Sequence, residues 1–113
     1  MAQYEKHGGG YLGARITVTD CAPRPDMILL PAVHLDSWLF LSRVAVLADG
    51  ALVLDVELPK VSRDIVYLGV SESAVWVATP AQIGAMRKIA TAREVSVRFS
   101  GEKGYLKIGR AHV

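Results

Sequence analysis

Two neighbouring stretches of apolar residues carry the strongest local pattern in the chain. Residues 37–48 and 51–58 are mostly hydrophobic and are joined by Asp49-Gly50. An Asp-Gly dipeptide tolerates the positive φ angles of a type I′ turn, so these residues predict a β-hairpin. In the second arm the even-numbered positions are leucine or valine and are predicted to face the core, whereas Asp55 and Glu57 occupy the opposite face.

Other stretches predict further strands. Residues 14–20 alternate between aliphatic and polar side chains, and residues 65–70 and 74–78 are rich in β-branched and aromatic residues. Residues 71–73, Ser-Glu-Ser, are predicted to be either a turn between two short strands or a polar step in one long, kinked strand.

Three prolines interrupt the region between the first strand and the hairpin. They occupy positions 23, 25 and 31 and predict an extended or irregular connection over residues 21–35. Residues 27–30 are apolar enough to form at most a short edge strand within that connection.

Thr79, Pro80 and Gln82 predict the start of an α-helix over residues 80–92. A hydroxyl N-cap, a proline at the first helical position and a glutamine at the third form a capping-box signature. Apolar side chains follow at helical spacing and are predicted to pack on a sheet; they are Ile83, Met86, Ile89 and Ala90. Arg87 and Lys88 are predicted to face water.

A last hairpin is predicted near the C-terminal end. Residues 95–99 return to a period of two and are followed by a Gly-Glu-Lys-Gly turn and by Tyr105-Leu106. The second arm is predicted to be too short to pair with the whole of the first arm. Residues 95–99 are therefore predicted to leave an unpaired strand edge through which the chain self-associates.

Residues 107–113, from Lys107 to Val113, resemble a translated sequencing adapter. They can be encoded by AAG ATC GGA AGA GCA CAC GTC, and the next adapter triplet is a stop codon. We therefore expect a non-native tail on a truncated open reading frame, with a natural basic tail as the alternative. Without Lys107 and Arg110 the 13 basic residues become 11 against 11 acidic ones, so the formal net charge falls from +2 to 0.

The composition predicts one globular domain. A length of 113 residues suits a single core, and 51% hydrophobic against 21% charged residues is a globular balance. No apolar run reaches the roughly 18 residues that span a bilayer, and the first residues lack the apolar segment of a secretory signal. The lone Cys21 can form no internal disulfide. The chain as written is predicted to be cytoplasmic.

These elements together predict an α+β fold, in which a mainly antiparallel, sandwich-like sheet is covered by one amphipathic helix. The predicted division of the chain is a flexible N-terminal segment over residues 1–13, one β-rich domain over residues 14–106, and the tail over residues 107–113.

The charge distribution and two short motifs argue against several functions. Single arginines and lysines form no basic stripe, so nucleic acid is not a predicted partner. Gly8, Gly10 and Gly13 satisfy the dinucleotide pattern G-x-G-x-x-G, but a strand rather than a helix follows them. The segment around Ser71 resembles a nucleophile elbow but lacks its second glycine.

Metal ligands are too few and too loosely spaced to predict a site. His34 and Asp36 are two residues apart, and His7 lies far from both in the sequence, whereas zinc sites need three or four ligands at organised spacing. No motif points to a bound cofactor, so none is predicted.

Aromatic residues form the first candidate site. Trp38, Tyr67 and Trp76 would make a binding platform for sugars, bases or a protein partner if their rings were exposed. Their positions within apolar strands favour core packing instead.

Carboxylates form the second candidate site. Asp55 and Glu57 project from one face of a strand about 7 Å apart, and Glu72 lies in a later strand. Paired carboxylates suit acid–base chemistry, although a solvent-facing strand surface also explains Asp55 and Glu57.

The order of elements from Trp38 to Tyr105 resembles small uncharacterised bacterial sandwich domains of envelope proteins and lipoproteins. The resemblance lies in the hairpin, the Arg63-Asp64 step, Glu72 within a strand and the helix that starts after Thr79. It implies a β-sandwich without general catalytic residues, in the periplasm or cell envelope if the N-terminus is incomplete. The leading expectation is a non-enzymatic binding or interaction module; the alternatives are a small enzyme fragment and one domain of a longer protein.

Overall fold

The computed structural model of the protein describes residues 8–17 and 26–110. These residues form nine strands and one helix. In chain order they are β1 (Gly8–Thr17), β2 (Asp26–Leu35), β3 (Leu41–Ala48), β4 (Ala51–Glu57), β5 (Ser62–Val66), β6 (Gly69–Ser73), β7 (Trp76–Val77), α1 (Pro80–Thr91), β8 (Val95–Gly101) and β9 (Gly104–Arg110).

The strands build two packed antiparallel sheets. Sheet I has the order β1-β2-β6-β5, with β7 paired beside β2, and sheet II has the order β4-β3-β8-β9. The chain crosses between the sheets after β2, after β4 and through α1. The predicted α+β sandwich-like fold is therefore confirmed.

A hydrophobic core fills the space between the sheets. Its central side chains, all almost fully buried, include Val33, Leu39, Leu41, Val44 and Phe99. A smaller cluster joins Val46 and Leu54 of sheet II to Ala85 of α1, with Met86 and Ile89 packed against it. Because Val44 and Val46 share the inner face of β3, α1 covers that inner face, and no described element covers the outer face of sheet II.

The β3–β4 hairpin turns at Asp49 and Gly50, whose φ angles of 50° and 84° confirm the predicted left-handed turn. The prediction that the even-numbered residues of β4 face the core is wrong at the start of the strand. A bulge beside Val46 and Leu47 shifts the register by one residue. Leu52 is consequently 58% exposed, while Val53 packs against the smaller cluster.

The predicted capping box at the start of α1 is confirmed. Thr79 Oγ1 accepts a hydrogen bond from Gln82 N at 3.2 Å, and Gln82 Oε1 accepts one from Thr79 N at 3.0 Å. Met86 and Ile89 pack on the sheets as predicted, but Ala90 is exposed and Ala85 is the buried alanine.

Strand β2 occupies residues that are predicted to be an extended or irregular connection with at most a short edge strand at residues 27–30. Pro31 lies in its middle, and its carbonyl oxygen accepts a hydrogen bond from Ala74 N at 3.1 Å. The N–H and C=O of a strand residue point to the same neighbour, so the missing N–H faces the interval between β6 and β7. Pro31 therefore removes no hydrogen bond between β1 and β2. The strand allowed at residues 27–30 is present, but it is part of a longer strand with neighbours on both sides, so the expected connection and the edge position are wrong for residues 26–35.

The N-terminal segment also differs from the prediction. Residues 8–13, expected to be flexible, pair with β2 as the first part of β1. The predicted strand at residues 14–20 is confirmed as far as Thr17. His7 and Cys21 lie outside the described residues.

The turn between the two strands that follow β4 is displaced from its predicted place. Tyr67 and Leu68 form it, because Val66 pairs with Gly69, while residues 71–73 lie within β6. The expected turn at residues 71–73 is therefore wrong, whereas the alternative, a polar step within a strand, is confirmed, because β6 and β7 pair with β2 in one continuous register. Tyr-Leu carries no sequence signal for a turn, and Glu72 of β6 finds its hydrogen-bond partners inside the fold.

Strand β8 has a full partner. Every residue of β8 from Val95 to Gly101 pairs with β9, and the side chains of Leu106 and Ile108 pack into the core. The predicted unpaired edge at residues 95–99 is therefore wrong. Residues 107–110 of the expected tail belong to β9, residues 111–113 lie outside the described part, and the adapter origin of the tail stays a prediction.

Candidate interaction surface

Glu72 is a fully buried carboxylate between the two sheets. It lies on β6, and its side chain is 0% exposed. Glu72 Oε2 accepts a hydrogen bond from Leu39 N at 2.8 Å, and Oε1 accepts one from Leu41 N at 2.8 Å. Leu39 lies in the segment that carries the chain from sheet I to sheet II, and Leu41 is the first residue of β3. The carboxylate therefore fixes this crossover.

Arg63 completes the arrangement around Glu72. Its Nε donates to Glu72 Oε1 at 3.0 Å, and its guanidinium lies 5.6 Å from the centre of the Phe40 ring. Phe40 itself adopts a φ angle of 56°, an uncommon conformation for a bulky residue. Because Glu72 is buried and both of its oxygens are engaged, we assign it to the structure of the crossover.

The candidate carboxylates lie in separate environments. Asp55 and Glu57 lie on the outer face of sheet II and are exposed, whereas Glu72 lies between the sheets. Asp55 Oδ1 accepts a hydrogen bond from Arg43 Nη1 at 2.5 Å. This hydrogen bond and the charge of Asp55 raise the pKa of Arg43 above its ordinary value, so the guanidinium keeps its charge. The structure does not gather the three carboxylates into one cleft.

The candidate aromatic residues are also separated. Trp38 and Trp76 are half-buried against the main core, and Trp76 Nε1 donates to Gln82 Oε1 at 2.9 Å. Trp38 stacks on Phe40 with 6.4 Å between ring centres. Tyr67 alone projects into solvent, at 87% exposure. The three rings form no common platform.

Tyr67 is one of four consecutive exposed apolar residues at the end of the β5–β6 hairpin. We define the hairpin tip as Ile65, Val66, Tyr67 and Leu68. Ile65 is 79% exposed and Leu68 is 80% exposed, and Val66 is also exposed. Four consecutive apolar side chains thus face water at one projecting turn.

The hairpin tip holds a strained residue. Leu68 has a φ angle of 62°, a region that glycine, asparagine and aspartate tolerate but a bulky aliphatic side chain does not favour. The next residue, Gly69, cannot be replaced freely either, because a Cβ there would lie 2.2 Å from the carbonyl oxygen of Leu35. The chain therefore keeps an apolar side chain at a turn position where a polar one would fit better.

The free edge of β5 is partly blocked. Asp64 Oδ1 accepts a hydrogen bond from the backbone N–H of Ile65 at 2.9 Å. An N–H occupied in this way cannot bond to an added strand without displacing the carboxylate, and a short charged strand is a common protection of sheet edges. The side chains of the hairpin tip are therefore more accessible to a partner than the backbone of β5.

Sequence reasoning identified Tyr67 but missed the other residues of the hairpin tip. Residues 65–70 were expected to form a half-buried strand, since they are β-branched or apolar. The only available signal was the polar run at residues 62–64 directly before them, which is typical of an exposed strand. That signal does not reveal where the hairpin turns.

The described residues give little support to a catalytic site, a metal site or a membrane-spanning helix. His34, Ser71 and Asp64 align across β2, β6 and β5 on the outer face of sheet I, but no hydrogen bond connects their side chains. No group of three potential metal ligands occurs within residues 8–17 and 26–110. In that part of the chain no helix has the length and apolar character to span a bilayer.

Comparison with models of protein families, with curated proteins and with solved structures finds no match to this chain. The resemblance to bacterial envelope domains therefore stays a prediction.

Proposed function

We propose that the protein is an interaction module that inserts its hairpin tip into an apolar groove on a partner protein. The observation that carries this proposal is the exposure of four consecutive apolar side chains at a projecting turn. Monomeric proteins rarely expose contiguous apolar patches of more than a few hundred Å², and such patches are often functional. Tyrosine is also among the residues that contribute most to binding energy in protein interfaces.

The size of the hairpin tip favours a groove over a second copy of the chain. Its four side chains offer on the order of 600 Å², because one aromatic side chain buries about 150–250 Å², the three aliphatic ones are smaller, and Val66 is only partly exposed. A stable interface needs about 800 Å² from each partner. Two tips that met end to end would fall short of this area, whereas a groove would also cover the flanks of the hairpin.

The charges beside the hairpin tip favour a protein over a lipid surface. Arg63 and Asp64 precede the tip and carry opposite charges, and Arg63 is paired with Glu72. Binding to anionic membranes normally combines apolar insertion with a cationic rim. Strands β5 and β6, which carry the tip, contain no cation other than Arg63, so they offer no such rim, and the affinity comes from burial of the apolar side chains.

The test compares the wild-type chain with a Tyr67→Ser/Leu68→Asn double variant and a Leu52→Asn control. Leu52 is an exposed leucine in sheet II, away from the hairpin tip. Each purified chain is used to capture proteins from an extract of the organism that carries the gene. Every captured protein is then purified and titrated with all three chains. We expect at least about a 30-fold loss of affinity for the double variant and no change for the control.

Two further measurements separate the alternatives. Sedimentation velocity tests for a dimer, and co-sedimentation with phosphatidylcholine vesicles tests for lipid binding. The proposal is wrong if every captured protein binds the double variant as tightly as the wild type. A dimer or vesicle binding that requires Tyr67 and Leu68 would also overturn it, because the occupant would then be a second copy or a membrane.

A further inference from the structure

The edge of sheet I beside β7 has no neighbouring strand in the described part of the chain. Strand β5 pairs with β6 only as far as Ser62, which lies opposite Ser73. The chain before β5 comes from sheet II, because Leu58 N donates to the carbonyl oxygen of Ser42 in that sheet at 2.8 Å. Within residues 8–17 and 26–110, no strand therefore continues the line of β5 beside β7.

The backbone groups at this edge point away from β2. Alternate residues of a strand direct their N–H and C=O groups to opposite neighbours. Ala74 N donates to the carbonyl oxygen of Pro31 in β2 at 3.1 Å, and Ala78 N donates to β2 at 2.8 Å. Val75 and Val77 occupy the alternate positions, and the residues of β6 in the same alternate positions face β5. The two valines therefore direct two N–H and two C=O groups to the free edge.

The side chains of the same two valines are exposed. Val75 is 59% exposed and Val77 is 56% exposed, so α1, which starts shortly afterwards, does not cover them. Val77 lies opposite the half-buried Ile28 on the outer face of sheet I, whereas Trp76 faces the core. Exposed apolar side chains thus lie beside unpaired backbone groups, and an added strand buries both at once.

This edge also lacks the protection found on β5. At β5 the carboxylate of Asp64 occupies the outward N–H of Ile65. Among the described residues, no side chain accepts a hydrogen bond from the N–H of Val75 or Val77. Their backbone groups are therefore open to a partner strand.

We infer that the free edge at Val75 and Val77 binds a short extended segment of a partner protein, which adds to sheet I as a strand antiparallel to β7. Two residues of the segment, separated by one, each exchange both backbone hydrogen bonds with one valine. Their side chains lie beside the valines on the outer face, so the segment carries apolar residues at alternate positions. This surface is independent of the hairpin tip.

The position of β5 favours a flexible segment over a second copy of the chain. Strand β5 occupies the same line directly beside the free edge, since Ser62 pairs with Ser73 only two residues before Val75. The edge strand of a second folded sheet is rigid and would run into β5. A short extended segment pairs with residues 75–77 alone and avoids this collision.

The first experiment measures amide hydrogen exchange of the ¹⁵N-labelled full chain by NMR, without and with the blocked peptide acetyl-Lys-Val-Thr-Val-Lys-amide. In the free chain the amides of Val75 and Val77 should exchange much faster than those of Ala74 and Ala78, which are bonded to β2. The peptide should shift and protect both valine amides saturably, with a dissociation constant of about 1 mM or tighter.

Modified peptides test the direction of the backbone groups on the wild-type chain. N-methylation of either valine of the peptide removes a donor that faces β7 and should weaken binding at least about tenfold. N-methylation of the central threonine removes a donor that faces away from β7 and should leave binding unchanged. Equal affinities of all these peptides would overturn the inference.

Variants of the chain test the location. Val75→Pro removes the N–H that points to the free edge and no hydrogen bond to β2, so it should abolish binding. Val77→Thr keeps a β-branched side chain and should weaken binding at least about threefold. Leu52→Asn and the Tyr67→Ser/Leu68→Asn double variant are the controls and should bind the peptide like the wild type. If Val75→Pro fails to fold, the N-methylated peptides decide the question.

Four results would overturn the inference. The first is protection of the Val75 and Val77 amides in the dilute free chain, because the edge would then be covered already. The second is the absence of saturable shifts at these amides. The third is protection that rises with protein concentration alone, which would make a second copy the occupant. The fourth is loss of peptide binding in the Tyr67→Ser/Leu68→Asn variant, which would place the peptide at the hairpin tip.

Discussion

Glu72 is a charged residue in a position where charge is normally costly. A carboxylate is tolerated in a protein interior only if its charge is paired and its oxygens accept hydrogen bonds. Here two backbone N–H groups and the Arg63 guanidinium supply those partners. The same contacts satisfy the N–H group of Leu39 in the crossover and that of Leu41 at the start of β3, so the charge and the backbone stabilise each other.

Replacement of Glu72 by alanine should therefore be strongly destabilising. Glu72→Ala leaves the N–H groups of Leu39 and Leu41 without their acceptor, and we expect the free energy of unfolding to fall by about 3–5 kcal/mol. Urea denaturation followed by tryptophan fluorescence measures the change. Glu57→Ala, on the exposed outer face of sheet II, is the control and should leave the midpoint unchanged. Equal losses in the two variants would contradict the role assigned to Glu72.

Leu68 permits a test of strain at the hairpin tip. Leu68→Asn places a residue that tolerates a positive φ at the turn, so we expect a gain of about 0.5–1 kcal/mol in the free energy of unfolding. The same variant should weaken partner binding if the apolar side chain is retained for function. Urea denaturation provides the stability value, and a loss of stability in Leu68→Asn would show that the turn is not strained.

At the scale of elements, Gln82 joins the start of α1 to β7. Its side-chain oxygen accepts hydrogen bonds from both Thr79 N and Trp76 Nε1. Gln82→Ala should lower the free energy of unfolding by about 1–3 kcal/mol, because the indole N–H loses its partner as well as the cap. Thr79→Ala should cost about 1 kcal/mol. Thermal unfolding followed by circular dichroism compares them, with Gln82→Glu as the control that keeps both acceptor contacts.

Two glycines in different elements give opposite predictions. A Cβ at Gly101 would lie 2.3 Å from the carbonyl oxygen of Leu39, so Gly101→Ala should displace the β2–β3 crossover and destabilise the fold by more than about 2 kcal/mol. Gly84 lies within α1 with open space around it, and Gly84→Ala should stabilise by about 0.5–1 kcal/mol. Urea denaturation measures both values, and the same sign for both would refute the steric argument.

At the scale of the whole molecule, β9 closes sheet II. The side chains of Leu106 and Ile108 pack into the core, and the strand pairs with β8 over its full length. A chain that ends after Leu106 should lose the cover of the β8 edge and the core contacts of Ile108. We expect it to unfold less cooperatively and to self-associate, as measured by circular dichroism and sedimentation velocity. A monomer with unchanged cooperativity would show that residues 107–113 are dispensable for the fold.

The parts of the fold that were predicted correctly depend on residues close together in sequence. The Asp49-Gly50 turn and the capping box of Thr79 and Gln82 each involve contacts within a few residues, so local conformational preferences are enough to specify them. Of the residues at the hairpin tip, only Tyr67 was predicted from the sequence as a candidate binding residue. Its exposed neighbours have the same β-branched and apolar character as core residues, and side-chain type alone does not distinguish the two.

The sequence by itself determined the class of fold, the hairpin around Asp49-Gly50 and the start of the helix, because periodicity and capping are local properties. Only the tertiary structure decided which strands are neighbours. It placed Pro31 beside the interval between β6 and β7, and it buried Glu72 against a crossover 31 to 33 residues away. It also left Val75 and Val77 without a described partner strand on one side. These placements depend on pairings between distant segments, which local patterns do not encode.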